Sequence, residues 1–554
     1  MFGAVPAPVR GRAALLAPIL LSAASAAVVL WQNAHVAVLV DLAYVLNTAT
    51  RIAAGDVPYR DFPLAHAPLE FIVQAALIKA FGAHYFVQIA YVTILGGLAT
   101  ALTYAIVRRL LEGVVEHPTA IAAVLVIPLV PLGIYAVYPH PFYDSDACLA
   151  VLAGIAAVVA ARDRPTTWRW LIAGAVIAVP VFVKQNIGGA FLVLMVGALA
   201  AEALARPSTR AGLRWCMAGL AAALVVALLA VQLTAGIDRY LAWTWTYALS
   251  GRGVALTRLR EFVDPVVVWP AALILGLVLA SRPLGPRARA LLFLAGLAVP
   301  AVVSAFGPFL PTVPAMFPPL LIAASVLALM RWRADPRFET LLPLVVTGTT
   351  AGALMSQGVY GSTFGIFPLL VLLLASLVRE LRRYVDAPAG LAPATGAAIA
   401  FILTVAGSAY TLGNARLLFA DVNAAGPVVR SSFPSLAGLS ASGPYVADLD
   451  AMLAWAAENV PTADAMVFLP GEDPAFFALG RRPRLPAVYF YDVASPYPPA
   501  EIARSADEVA LRWVFVKDRL QLFSVPPQHE ELVARLTEHA TLVARVGPYR
   551  VFRR

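Results

Sequence analysis

Apolar runs close to the length of a membrane-crossing helix recur from residue 14 to residue 411, separated by short polar segments rich in arginine. Each helical residue advances about 1.5 Å, so about 20 apolar residues cross the hydrocarbon layer of a bilayer. The pattern predicts about thirteen spans, near 14–32, 86–109, 118–138, 145–161, 167–184, 187–205, 212–235, 264–281, 288–305, 314–331, 340–356, 363–380 and 392–411. From 413 to 554 the pattern changes. Helical stretches near 445–459, 500–511 and 528–539 alternate with strand-like runs at Met466 to Leu469, Trp513 to Val516 and Thr541 to Val546, which predicts a small α/β domain. The expected fold is thus mainly α: a polytopic helical bundle over 1–412 and a C-terminal α/β domain over 413–554.

Composition strengthens this picture. The 554 residues are 60% hydrophobic and only 13% charged, about half the charged fraction of ordinary soluble domains. Mean hydropathy is +0.79. Cys148 and Cys216 both fall in or beside apolar runs, so neither a disulfide framework nor a cysteine metal site is expected. The net charge of +9 comes from arginines in the short connections, a membrane-orientation signal rather than a nucleic-acid groove. Their bias puts the N-terminus in the cytoplasm and, with an odd number of spans, the C-terminal region outside. The first span follows Arg10 and Arg12 and reads as an uncleaved anchor.

The first outside segment concentrates the candidate chemistry. From Asp41 to Ala54 the apolar residues Leu42, Val45, Leu46, Ala49, Ile52 and Ala53 recur at helical spacing, while Asp41, Tyr44, Thr48 and Arg51 fall on another face. This predicts an interfacial amphipathic helix ended by Gly55, followed by a second helix from Pro68 to just before Gly82. Asp41 has two readings, a carboxylate capping that helix or a general base, and Asp56, Asp61 and Glu70 read as solvated. Farther on, Arg239, Arg252, Arg258 and Arg260 lie outside near Trp243, Trp245 and Tyr247, either paired with Asp238, Glu261 and Asp264 or clamping a phosphate. Lys184, set between two apolar runs with almost no loop, carries the same two readings, as does His66. Asp144 and Asp146 precede a span and read either as helix caps or as ligands of a divalent cation.

Taken in order, the first span, Asp41, the amphipathic helix, Gly55-Asp56-Val57-Pro58-Tyr59-Arg60-Asp61-Phe62 and His66-Ala67-Pro68-Leu69 resemble the first outside loop of the GT-C membrane glycosyltransferases. Within that group the chain is most similar to bacterial relatives of protein O-mannosyltransferases and of the lipid A aminoarabinose transferase. The turn Val183-Lys184-Gln185-Asn186-Ile187-Gly188 and the later segments Leu469-Pro470-Gly471-Glu472-Asp473-Pro474 and Gly480-Arg481-Arg482-Pro483 extend the likeness over nearly the whole chain. Two positions depart: protein mannosyltransferases have an acidic pair where this chain has Asp41-Leu42, and the aminoarabinose transferase has a lysine at the place of His66.

The resemblance implies a polyprenyl-phosphate sugar donor, an inverting transfer to a lipid, glycan or protein acceptor, and a cavity facing away from the cytoplasm in a bacterial-type inner membrane. The chemistry asks for one carboxylate base, because a phosphate leaving group needs little protonation, and for cations around the departing phosphate. Asp41 is the expected base. His66, Lys184, Arg252, Arg258 and Arg260 are the expected phosphate contacts, Tyr44, Tyr59, Asp61 and Tyr360 the expected cavity residues, and a divalent cation at Asp144 and Asp146 the expected cofactor if there is one. The competing expectation is a transporter or lipid-linked sugar flippase, which would carry ionisable or glycine-broken helices near the midplane and matching halves.

Overall fold

The computed structural model describes residues 12–249, 317–354, 365–384, 390–413, 426–491, 495–521 and 529–554, with the single positions 285, 288 and 527. The expected spans 264–281 and, but for position 288, 288–305 lie outside the described residues, as do Arg252, Arg258, Arg260 and Tyr360.

Helices form where the apolar runs predict them. α1 (Arg12–Asn33), α4 (Tyr85–Leu111), α7 (Tyr143–Asp163), α9 (Gln185–Ala205), α10 (Arg210–Thr234) and the helix Leu391–Leu412 contain the six described segments long and apolar enough to cross a membrane. α8 (Thr167–Val183) is apolar and shorter. The helices Phe317–Trp332, Phe338–Leu354 and Phe367–Tyr384 occupy three further expected spans. The protein is a multi-pass, helical membrane protein. α8 and α10 touch through glycines: a Cβ on Gly174 would stand 1.8 Å from the Cys216 carbonyl, and one on Gly219 would stand 1.9 Å from that of Leu171. Small residues let helix backbones approach this closely where lipid offers no hydrophobic drive between helices.

One expected span is not a single helix. Residues 118–138 divide into α5 (Pro118–Val126), α6 (Leu129–Leu132) and a buried irregular segment running to Phe142. Pro128 and Pro131 cannot supply backbone donors inside a helix, which breaks the ladder. Tyr135 then takes a left-handed φ of 67°. The freed segment carries Tyr138 and His140 against the next helices.

Between α1 and α4 lie α2 (Leu39–Ala53) and α3 (Leu69–Phe81), the two helices expected after the first span. α2 is amphipathic in sequence yet buried along almost all of its length, from Leu39 through Arg51, with Asp41 and Tyr44 partly buried. Its apolar face packs on the C-terminal region, where Leu39, Leu42 and Leu46 share one core with Tyr445, Leu449, Phe468 and Phe477. A lipid interface would cover one face only.

The C-terminal region is the expected α/β fold. β3 (Ala465–Leu469) pairs in parallel with β4 (Leu511–Lys517), and β6 (Tyr549–Arg553) runs antiparallel between β4 and β5 (Thr541–Val546), giving the order β3-β4-β6-β5. A separate ribbon joins β1 (Val428–Arg430) and β2 (Ser440–Ser442). The helices Tyr445–Asn459, Pro499–Glu508 and His529–Thr537 match the three expected. β6 was not expected, because arginines interrupt its short apolar pattern, yet it is central to the sheet. Side-chain alternation gives the sheet two faces. Met466, Phe468, Trp513 and Phe515 belong to the core that α2 shares, with Trp513 and Phe515 against Trp455 of the helix Tyr445–Asn459, while Val467, Val514 and Val516 build a second core with Ile502 and Leu532.

Candidate functional site

The site is assembled on α2. Asp41, Tyr44 and Thr48 lie at i, i+3 and i+7, so they share a face of the helix. Asp41 accepts a hydrogen bond from the Tyr138 hydroxyl at 3.2 Å, a residue delivered by the broken span. Tyr138 packs edge-on against His140, with ring centroids 5.4 Å apart. One turn along, the Tyr44 hydroxyl lies 3.0 Å from His66 Nδ1. Tyr59, held at a left-handed φ of 68°, donates its hydroxyl to the His66 carbonyl at 2.7 Å and fixes the loop that presents the imidazole.

His66 begins a column that leads into the bundle. Its ring stacks on Tyr143 with centroids 4.2 Å apart, and the Lys184 ammonium lies 4.2 Å from the centre of the same tyrosine. Lys184 sits at the break between α8 and α9, only 2% exposed, and forms a buried ion pair with Asp144 at 2.8 Å. Charge so deeply buried requires a partner, and the pair supplies it. The structure therefore joins Tyr44, His66, Tyr143, Lys184 and Asp144 in one connected group.

The two carboxylates of the second loop part company. Residues i and i+2 of a helix point about 200° apart. Asp144 faces Lys184, whereas Asp146 accepts the hydroxyls of Tyr91 and Tyr135, each at 2.5 Å. With these partners the two do not converge as ligands of one cation. Among the described residues no group of three or more His, Cys, Asp or Glu side chains is placed to hold a metal ion.

Two acids expected in solvent are buried instead. Glu70 is 1% exposed, accepts from the Gln74 side chain at 2.9 Å and faces Asp146; burial first, and the neighbouring carboxylate second, push its carboxyl well above the usual range. α3 brings it inward by packing on α2 instead of floating at an interface. Asp56 is buried because Arg51 bonds it at 2.5 Å while Arg482 reaches it from the C-terminal region. Arg51 also donates to the Leu485 carbonyl at 2.6 Å, so this pair staples the first loop to that region. Asp61, by contrast, is an exposed turn residue: it accepts from the Val57 N–H at 2.8 Å and from Arg60, which lowers its carboxyl to about 2. It does not line the cleft.

A cleft opens beside Tyr44, lined by Thr48, Phe62, Trp243, Tyr247 and Tyr489 among others. Its walls come from α2, from the π-helical turn Ala242–Tyr247 and from the C-terminal region. Single-turn π segments occur often at functional sites. Sequence reasoning missed Tyr138 and Tyr143 as site residues. The available signal was the density of Tyr135, Tyr138, His140 and Tyr143 in and after a nominal span, far too polar for lipid.

No protein-family model matches the chain, and no curated protein sequence does. Among solved structures, the oligosaccharyltransferase of Archaeoglobus fulgidus in complex with zinc and sulfate is similar over 91% of this chain and 68% of that one, with a TM-score of 0.50 and 13% identity. Its apo form gives the same TM-score over 69% of its length. ArnT from Cupriavidus metallidurans, bound to undecaprenyl phosphate, aligns over 97% of both chains at 13% identity with a TM-score of 0.45. At such identities the likeness is one of fold. The chain shares its fold with the Archaeoglobus oligosaccharyltransferase.

Proposed function

We propose that this protein is an integral membrane glycosyltransferase that moves a sugar from a polyprenyl-phosphate donor to an acceptor hydroxyl on the extracytoplasmic side of the inner membrane, with inversion. The observation that carries this reading is the pairing of Asp41, Tyr44 and Thr48 on one face of buried α2 with the His66, Tyr143 and Lys184 column beside them. The cleft at Tyr44 gives the acceptor a path to that face.

In the proposed step, Asp41 takes the acceptor hydroxyl proton as the oxygen attacks the anomeric carbon from the side opposite the phosphate. The bond from that carbon to the phosphate oxygen breaks, and its electron pair leaves with the phosphate. Tyr138 holds the Asp41 carboxylate in place by its hydrogen bond. His66 and Lys184 stand on the departing-phosphate side, where a cation in a dry cavity acts far more strongly than in bulk water. Arg252, Arg258 and Arg260 are assigned to the same phosphate, and Tyr360 to the cavity. Asp144 sets the position of Lys184, and no step is routed through a metal.

Asp41→Asn tests the reading. With purified protein, a panel of polyprenyl-phosphate sugars and membrane acceptors, the variant should bind donor and lose turnover by about 10²- to 10⁴-fold. Wild-type turnover in that variant removes the base assignment. Sugar release from no carrier by the wild type favours a flippase.

A further inference from the structure

We propose that Gln521 is a positioning residue for Asp41, acting through the first peptides of α2, and that the buried Lys517, Glu472 and Asp473 cluster holds Gln521 in that task. The proposal rests on the reading of Asp41 as the base.

The first N–H groups of any helix lack partners within the helix and need acceptors from elsewhere. The residue before α2, Val38, has no side chain able to supply one. Two distant residues do so. His140 Nε2 accepts the Val38 N–H at 3.0 Å, and Gln521 Oε1 accepts the Leu39 N–H at 2.8 Å. Gln521 Nε2 also donates to the Ala37 carbonyl at 2.9 Å. A side chain that grips the backbone on both sides of a residue fixes its rotation as well as its place. Asp41 stands two residues further on, in the first turn, so its carboxylate follows.

Gln521 is itself clamped. Its backbone N–H donates to both Glu472 oxygens, at 2.8 and 2.9 Å, and Glu472 also accepts from Lys517 at 2.8 Å and from the Tyr491 hydroxyl at 3.1 Å. Asp473 accepts from Lys517 at 2.8 Å and from the Tyr549 hydroxyl at 2.8 Å, and its carbonyl receives the Asn47 side chain of α2 at 2.9 Å. Glu472 and Asp473 follow β3, and Lys517 and Gln521 end and follow β4, at the edge of the two parallel strands where loops of an α/β sheet usually receive a ligand. Here the bound object is the start of α2. The second core of the region lies on the opposite face of the sheet and includes no residue of α2.

The test uses the full chain with Gln521→Met, which keeps volume and loses both hydrogen bonds, beside Gln521→Ala. Amide exchange in the peptide spanning 37–42 should quicken about 10-fold or more. With a synthetic polyprenyl-phosphate hexose as probe, kcat should fall about 10- to 100-fold while the donor KM stays unchanged. Arg519→Ala, which breaks an exposed pair with Asp448, should alter neither readout. Normal exchange and normal kcat in Gln521→Met, beside an inactive Asp41→Asn, overturn the positioning role alone. Full activity in Asp41→Asn overturns the base assignment and this proposal with it.

Discussion

Two buried lysines divide the molecule between them. Lys184, in the helical bundle, pairs with Asp144 and lies against Tyr143. Lys517, at the end of β4, holds two carboxylates, Glu472 and Asp473. Burial alone would pull the Lys517 ammonium down; Asp473 and Glu472 outweigh it and raise it well above its ordinary value. Around Lys517 the remaining oxygens are taken by Tyr491, Tyr549 and the Gln521 N–H, as expected of a network that fixes one geometry. Around Lys184 the neighbours lead through Tyr143 and His66 to the face that carries Asp41. The same kind of ion pair therefore serves as a fastener in one region and, on the proposed reading, as part of the chemistry in the other.

The largest expected effect breaks the fastener. Lys517→Met leaves two buried carboxylates facing each other and should cost about 3 to 5 kcal/mol, measured as loss of thermal stability and protease resistance of residues 426–554. Adding Glu472→Gln and Asp473→Asn should restore most of it. Lys184→Met should cost about as much through Asp144, but Lys184→Met with Asp144→Leu should regain stability without regaining sugar transfer. Recovery of transfer in that double variant would show that Lys184, too, is only a fastener.

A third buried titratable group stands between the two regions. Burial lowers His140 to about 3, and its Nε2 must stay unprotonated to accept the Val38 N–H. Between the ordinary value near 6.5 and about 3, the unfolded chain binds a proton that the folded chain refuses. Stability should therefore fall as pH drops through that window, by up to about 1.4 kcal/mol per unit, and stay level above it. His140→Gln should flatten the slope in a pH series of melting temperatures.

Trp243→Ala probes the cleft that the two regions share. It should raise the acceptor KM about 10-fold, a loss of about 1.4 kcal/mol, with donor KM unchanged. The smallest effect belongs to Asp61. Its exposed pair with Arg60 should contribute less than about 1 kcal/mol, present above pH 4 and lost as pH falls through about 2. Asp61→Asn should leave transfer intact, and a large loss would return Asp61 to the cavity.

Much of this was legible in the chain. The described spans other than 118–138, α2 and α3, and all but β6 of the three C-terminal helices and four strands of the sheet follow directly from periodicity, because burying apolar side chains is what selects those elements. Tyr44, His66 and Lys184 could be singled out as polar groups beside apolar runs. Their connection could not, since the link between His66 and Lys184 is the ring of Tyr143, which the loop delivers from another part of the chain. Glu70 and Asp56 illustrate the same limit. Each looks like an ordinary surface acid until α3 and the C-terminal region close over it.

By itself, the sequence determined that the protein crosses a membrane many times, where its helices and most of its strands run, and that Asp41 lies in the first turn of an amphipathic helix. Those properties depend on side-chain period and on neighbours within a few residues. Only the tertiary structure decided that α2 is buried between bundle and sheet, that Tyr138 and Gln521 reach its start from 97 and 482 residues away in sequence, and that Asp144 and Asp146 serve different partners. The physical reason is that an unsatisfied N–H or a buried charge specifies that a partner must exist, while only packing determines which distant residue supplies it.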